Sequence, residues 1–282
     1  MTYKQAFANF HEELKNSYPE TEIEAFIQII CRHLFGLSRF DCMLRNTESL
    51  SEKSESQIYN IIQELKRFKP LQYILGETEF YGLRFFVNGA VLIPRPETEE
   101  LVEWIISDCK GKDNLSIIDI GTGSGCIPVS LAKFLQGAKV SAIDISEEAL
   151  VVAKKNAEEN KVNVQFIHAD ILKQTLPKKL RFDVIVSNPP YVTADQKNVM
   201  NANVLDYEPH IALFAPDQNP FVFYEAIAAV AQDHLKPEGS LYFEINEAFP
   251  HETADCIRKY GFGTELKQDI NGKYRMIKAK CL

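Results

Sequence analysis

Apolar positions recur at helical spacing through the first quarter of the chain and at strand spacing, alternating with helices, through the rest. Phe7, Phe10 and Leu14 share one face of YKQAFANFHEEL; Phe26, Ile27, Ile30 and Leu34 form a second stripe, and Ile58, Ile61, Ile62 and Leu65 a third. Steps of three and four residues put each set on one side of a helix. Pro19 is placed as the first residue of the second helix, with Glu20, Glu22 and Glu24 at its positive end and Gly36 as its stop. The third helix is predicted over 51–68 and ended by Pro70. No strand pattern interrupts residues 1–75, which read as a small helical bundle and a first domain.

The character changes over 76–93. Phe80, Tyr81, Phe85, Phe86, Val87 and Val91 are strand-type residues broken by Gly82 and Gly89, a pattern that predicts a linking β-hairpin. In IPRPETEE the two prolines impose an extended backbone at Ile93 and Arg95. A helix then opens through Leu101, Trp104 and Ile105. Residues 94–282 form the second domain. Strands are predicted at 115–120, 139–143, 163–168, 182–187, 239–245, 263–269 and 273–280, and helices at about 125–136, 146–159, 220–235 and 248–260. Seven strands alternating with helices imply an α/β fold with a mainly parallel sheet covered on both faces. Asn271-Gly272 predicts a type I′ turn, so the sheet should close in an antiparallel hairpin. The stretch 188–219 lacks periodicity, and a loop that long is usually functional or mobile.

Composition narrows the class. Apolar residues make up 45% and charged residues 25% of 282, an ordinary globular balance. No run approaches the ~18 apolar residues of a membrane span, and the polar, acidic start does not read as a secretory signal. The six cysteines, at 31, 42, 109, 126, 256 and 281, form no C-x-x-C pair and no zinc spacing. Free thiols in a reducing cytoplasm are expected. A net charge of −8 argues against a duplex nucleic acid as substrate, because phosphate neutralisation needs a basic surface. Lys66, Arg67 and Lys69, and Lys178, Lys179 and Arg181, are local basic clusters that read as solvated surface.

Two features carry chemistry. Gly121-Thr122-Gly123-Ser124-Gly125 follows an apolar strand and opens a helix, the place where cofactors dock in open α/β sheets. Glycine lets the backbone turn sharply and lets a ligand approach it. The spacing is G-x-G-x-G, not the dinucleotide G-x-G-x-x-G, and no phosphate-binding lysine follows. The glycines could instead merely turn a tight corner. Asp144 ends the next strand, about 20 residues on, where a carboxylate can accept from both ribose hydroxyls. Capping the following helix is the alternative, although Ser146 can do that itself. Asp170 and Ile171 follow the third strand of this group and are placed to hold an adenine, as a carboxylate for its amine and an apolar wall for its ring; a plain loop is the alternative.

The second feature is Asn188-Pro189-Pro190-Tyr191 at the end of the fourth strand. Two prolines stiffen the chain and remove two donors, so the carbonyls before them face a pocket unpaired. Asn188 adds an amide acceptor and Tyr191 an aromatic face. Such a ring of acceptors suits a substrate –NH2 whose lone pair is delocalised. It can help draw the nitrogen towards tetrahedral geometry and aim its lone pair at an electrophile.

Asp/Asn-Pro-Pro-Tyr/Phe beside a G-x-G-x-G loop resembles the amino-methyltransferases. Pro70-Leu-Gln-Tyr-Ile-Leu-Gly76, Glu79-Phe-Tyr-Gly82, Leu92-Ile-Pro-Arg95-Pro-Glu97-Thr-Glu99, Tyr207-Glu-Pro209 and Ala212-Leu213 narrow this to a resemblance to the PrmC/HemK family, spanning nearly the whole chain. The resemblance implies a Rossmann-like class I methyltransferase sheet and S-adenosylmethionine as methyl donor, with no metal. It also implies methylation of N5 of the glutamine in the Gly-Gly-Gln motif of bacterial class I peptide chain release factors. Gly121, Thr122, Gly123, Ser124, Gly125, Asp144, Ile171 and Asn188 would then contact the cofactor, and Asn188, Pro189, Pro190 and Tyr191 the glutamine. Members often carry an aromatic residue where Ile171 stands. The helical domain would clamp the release factor, and Pro94-Arg-Pro-Glu97 would wall the cofactor. A monomer in the cytoplasm is expected. The competing readings are an adenine-N6 nucleic-acid methyltransferase, which would need base flipping and a target-reading domain, and a non-catalytic cofactor-binding module.

Overall fold

The computed structural model describes residues 1–173, 176–197, 200–216 and 219–282, with Ala194 described by its backbone alone. The chain divides into two compact units, 1–76 with 202–207, and 77–201 with 208–282.

The first unit is helical: α1 Tyr3–Leu14, α2 Glu20–Phe35, α3 Arg39–Leu44, α4 Glu52–Leu65 and α5 Leu71–Leu75, together with the short α10 Ala202–Leu205. The apolar stripes meet in one core of Phe10, Leu14, Ile23, Ile27, Ile30, Ile58, Ile61, Ile62 and Leu65. Side chains start three of the helices: Thr2, Ser38 and Ser51 each accept the backbone N–H three residues on. Gly36 closes α2 with φ +63°. Pro19 is the residue before α2 rather than its first. The third predicted helix ends at Leu65, not Phe68, because Phe68 itself turns into the left-handed region. Pro70 caps a further short helix, α5.

The second unit opens with β1 Glu77–Phe80 and β2 Leu83–Phe86, then α6 Pro96–Asp108. Pro96 sits in the first turn of α6 behind an extended Arg95. The sheet strands are β3 Ser116–Ile120, β4 Lys139–Asp144, β5 Val164–His168, β6 Phe182–Ser187, β7 Leu235–Glu244, β8 Phe262–Gln268 and β9 Tyr274–Cys281. Between them run α7 Cys126–Phe134, α8 Glu147–Glu159, α9 Ala194–Lys197, α11 His210–Leu213, α12 Val222–His234 and α13 Pro250–Arg258. Strand order is β5-β4-β3-β6-β7-β9-β8. The first five strands in that order pair in parallel; β9 pairs antiparallel with both β7 and β8. The β1–β2 hairpin, α6, α7 and α8 pack one face, with Phe80, Phe85, Leu101 and Val129 buried; α12 and α13 cover the other with Tyr224, Ile227, Ala231 and Ile257.

Two turns differ from expectation. Between β8 and β9 the connection has five residues, Asp269 to Lys273. The Asp269 N–H donates to the Lys273 carbonyl at 2.9 Å, and Gly272 N–H to the Asp269 carbonyl at 2.9 Å. Only Gly272 has positive φ, so the expected type I′ turn at Asn271-Gly272 is absent. The cause is Asp269, whose carboxylate accepts from both Asn271 N–H and Lys273 N–H at 2.9 Å and holds the wider loop. The two-residue turn with both φ positive lies instead at Tyr81-Gly82, where Tyr81 N–H is taken by Glu99 at 2.6 Å. Strand β7 also starts four residues early, at Leu235, and pairs through an irregularity before Ser240; Pro237 and Gly239 hid that start.

Of the aperiodic stretch 188–219, Asn198, Val199, Asp217 and Gln218 lie outside the described residues, and the remainder contains α9, α10 and α11. No helix among the described residues is long and apolar enough to cross a membrane.

Candidate functional site

Sheet order reverses between β3 and β6, and the crevice outside the carboxyl ends of strands at such a point is where open α/β sheets bind ligands. A cavity of about 310 Å³ lies there. Its wall includes the ends of β3 and β4 (Ile120, Ile143, Asp144), the segment after β5 (Ala169 to Leu172), the end of β6 and the segment that follows it (Ser187 to Pro190), and Thr98 of α6.

Gly121, Thr122, Gly123 and Ser124 line this cavity. Gly121 and Gly123 take φ +78° and +53°, and a Cβ on either would meet no protein atom within 4 Å. The space beside them is left open to a ligand, as a docking loop requires. Gly125 is not in the wall. It caps α7 at φ +79°, and a Cβ there would lie 3.0 Å from Ala153 Cβ and 3.2 Å from its Cα. Its lack of a side chain serves close packing of α7 on α8. Gly125→Ala is therefore expected to cost about 2 kcal/mol, combining left-handed strain with overpacking. Calorimetry should show it as a fall of several degrees in Tm, with no change if the contact is slack.

Asp144 joins the strand end to the loop. One carboxylate oxygen accepts from Gly123 N–H at 2.7 Å and the other from Ser146 N–H at 2.9 Å. Ser146 performs the cap of α8, accepting Ala149 N–H at 3.1 Å. Each carboxylate oxygen of Asp144 keeps a second lone pair for a ligand hydroxyl. Asp170 lines the cavity with one oxygen 2.9 Å from Lys173 Nζ and the other accepting Leu172 N–H; these bonds hold its carboxyl below the usual range. Ile171 lies beside it in the wall, and Ile145 and Leu172 add further apolar surface.

Asn188, Pro189 and Pro190 line the cavity on the opposite side; Tyr191 does not. Its hydroxyl turns inward and donates to Glu244 at 3.0 Å, and burial together with that carboxylate holds the phenol protonated. Asn246 Nδ2 donates to the Tyr191 carbonyl at 3.0 Å, fixing the backbone after the prolines. Asn188 Nδ2 lies 3.3 Å from Thr98 Oγ1, which donates to the other Glu244 oxygen at 2.6 Å.

Sequence reasoning missed three buried polar residues that hold this site. Glu244 and Thr98 are almost fully buried. Asn156, on the inner face of α8, donates to the carbonyls of Phe86 and Ser124 at 3.0 and 2.8 Å and accepts Phe86 N–H at 2.6 Å. It ties the hairpin to the glycine loop. A polar residue among Ala149, Val152, Ala153 and Ala157 on an otherwise apolar face was the available signal. Arg95, also in the wall, pairs with buried Glu208 at 2.6 Å. That carboxylate also takes Ile93 N–H at 3.3 Å. The Pro94-Arg95 segment is thereby fixed to the segment that leads into α11, whose Ile211 and Ala212 complete the wall.

Comparison with known proteins decides the family. Residues 5–76 match the family described as PrmC N-terminal domain, and residues 98–206 match Methyltransferase small domain. The chain is 48% identical over 282 residues, 99% of each chain, to a release factor glutamine methyltransferase of Flavobacterium psychrophilum. It is 43% identical, over 96% of this chain and 98% of the other, to that of Bacteroides thetaiotaomicron. The chain belongs to the release factor glutamine methyltransferase family. It is an S-adenosylmethionine-dependent methyltransferase. The solved 16S rRNA N2 G1207 methyltransferase of T. thermophilus, in complex with AdoMet and guanosine, shares the fold: TM-score 0.53 at 19% identity, over 73% of this chain and 50% of that one. Among the described residues no group of three or more His, Cys, Asp or Glu is placed to hold a metal ion.

The cavity fits the donor. Open space beside Gly121 and Gly123, spare acceptor capacity on Asp144, and the Asp170 carboxylate beside apolar Ile171 suit an amino-acid chain, a ribose diol and an adenine respectively.

Proposed function

We propose that this enzyme methylates N5 of the glutamine side chain in the Gly-Gly-Gln motif of bacterial class I peptide chain release factors. Kinship along 99% of the chain with a release factor glutamine methyltransferase is the observation that carries this. S-adenosylmethionine, when bound, supplies a methyl group on a sulfonium that is already a good leaving group. The protein's share is positioning and electrostatics. Asn188 Oδ1 and the carbonyl ahead of Pro190 accept the two amide hydrogens of the glutamine and turn its lone pair towards the methyl. Pro189 and Pro190 keep those acceptors rigid. Tyr191 lies outside the cavity wall and acts from behind it, its hydroxyl anchored on Glu244 so that the segment before it is held in place. Gly121 to Ser124, Asp144, Ile171 and Asn188 form the cofactor side, and Gly125 supports them by packing α7 on α8. No strong base is needed before transfer, because the surplus proton can leave to solvent afterwards.

Residues 1–75 act as the release-factor docking domain, 76–93 as the link, and 94–282 as the methyltransferase domain. The net charge of −8 favours a protein over a nucleic acid as substrate. A monomer acting in the cytoplasm, where termination occurs, completes the proposal. Labelled methyl transfer tests it, with a purified release factor, its Gly-Gly-Gln glutamine variant, DNA and RNA side by side. Label is expected on the intact release factor alone; label on nucleic acid, or on the glutamine variant, would reject it.

A further inference from the structure

Glu244 ends β7 behind the cavity and outside its wall, yet both ends of the Asn188–Tyr191 segment are tied to it. One carboxylate oxygen takes the Tyr191 hydroxyl at 3.0 Å, and the other takes the Thr98 hydroxyl at 2.6 Å. The Glu244 carbonyl accepts a third hydroxyl, from Tyr224, at 3.2 Å.

Hydrogen-bond polarity gives this arrangement a consequence. An ionised carboxylate only accepts. Thr98 has one hydroxyl hydrogen and gives it to Glu244. The Thr98 oxygen can then only accept, and the group it faces is the Asn188 amide at 3.3 Å. That end of the amide must be NH2, so the end left for the cavity is the carbonyl oxygen. We propose that Glu244, acting through Thr98 on Asn188 and directly on Tyr191, is a positioning residue that fixes which end of the Asn188 amide meets the substrate nitrogen. The inference rests on the acceptor role given to Asn188 above.

A protonated or amide group in place of the carboxylate reverses the relay. A donor facing Thr98 lets the Thr98 hydrogen point at Asn188, whose carbonyl then turns towards Thr98 and whose NH2 turns into the cavity. Two NH2 groups would then confront each other at the reacting nitrogen. The titratable and charged groups around Glu244 are Glu97 on α6, Cys126 on α7, Tyr191 after β6, Tyr224 on α12 and Arg275 on β9. Burial raises the carboxyl of Glu244, Glu97 adds to the rise, and Thr98, Tyr191 and Arg275 oppose it. The carboxylate is lost at a higher pH than a free carboxyl would lose it, and kcat should drop as pH falls and Glu244 takes up its proton.

The test uses the full-length enzyme with S-adenosylmethionine and a purified release factor. Glu244→Gln and Thr98→Val should each lower kcat about 100-fold while changing the cofactor Kd less than about threefold. Thr98→Ser, which keeps the hydroxyl, should recover kcat to within about fivefold of wild type. The acid limb of the wild-type profile should vanish in Glu244→Gln. Wild-type kcat in Thr98→Val, or equal losses in the Ser and Val variants, would overturn the inference; the Thr98 pair decides even if Glu244→Gln does not fold. Absence of label with the wild-type enzyme would instead reject the release-factor reading. The Asn188 orientation is then read by neutron diffraction, with NH2 towards Thr98 upholding the relay and oxygen towards Thr98 ending it.

Discussion

Asn188→Ala lowers kcat for release-factor methylation by about 1000-fold and leaves cofactor binding measurable, with Kd within about tenfold of wild type. The expected size follows from what is removed. The glutamine amide nitrogen has a delocalised lone pair, so the transition state gains most from acceptors that hold its two hydrogens out of plane. Removing one preorganised hydrogen-bonding group of this kind costs roughly 3–4 kcal/mol. Stability should change little, because the bond Asn188 makes through its side chain among the described residues, to Thr98, is 3.3 Å long and neutral. Stopped single-turnover assays separate the chemical step from binding. Wild-type turnover in this variant would remove Asn188 from the mechanism. A loss confined to KM would make it a binding contact only.

The parts of the fold that were legible in the sequence are those set by local pattern. The three long stripes of the helical unit, the alternation from β3 onward and the antiparallel ending depend on residues a few positions apart. Helices α3 and α5 were not legible, since six and five residues give too few repeats of a stripe to count. The turn at Asn271-Gly272 was misread because its width is decided by Asp269, outside the dipeptide that carries the turn signal. The glycine loop, Asp144 and Asn188 could be placed around one cavity because each stands at the end of a strand, where a parallel sheet gathers its functional residues. Tyr191 shares the motif, but its side chain is drawn away by a partner 53 positions later. Thr98 and Glu244 lie 146 positions apart, and Asn156 and Phe86 lie 70 apart. Polar contacts at such separations leave no local periodicity, and only the folded sheet brings them together.

Asp119 leads to the second large effect, and its sign is the reverse of what a mutation beside a cofactor loop usually brings. Its side chain is wholly buried at the end of β3, two residues before Gly121, and among the described residues neither carboxylate oxygen has a hydrogen-bond partner. Burial pushes its carboxyl up to about 7; Thr122 and the Ile120 N–H oppose the rise without reaching hydrogen-bond geometry, and the nearby Asp144 adds to it. A folded-state value above the unfolded 3.8 means the native protein binds the extra proton between about pH 4 and 7. The stability this provides is complete below pH 4 and is lost as pH rises through 7. A shift of about 3 units corresponds to roughly 4 kcal/mol at most. Asp119→Asn keeps the shape and cannot ionise, so at pH 8 it should melt about 5 °C or more above wild type, and the gain should shrink towards zero by pH 4. Scanning calorimetry across that range checks it. A constant difference, or a variant that is less stable at pH 8, would mean the carboxylate is compensated in solution. A difference that grows with pH would identify Asp119 as a buried charge tolerated beside the cofactor loop at the expense of stability.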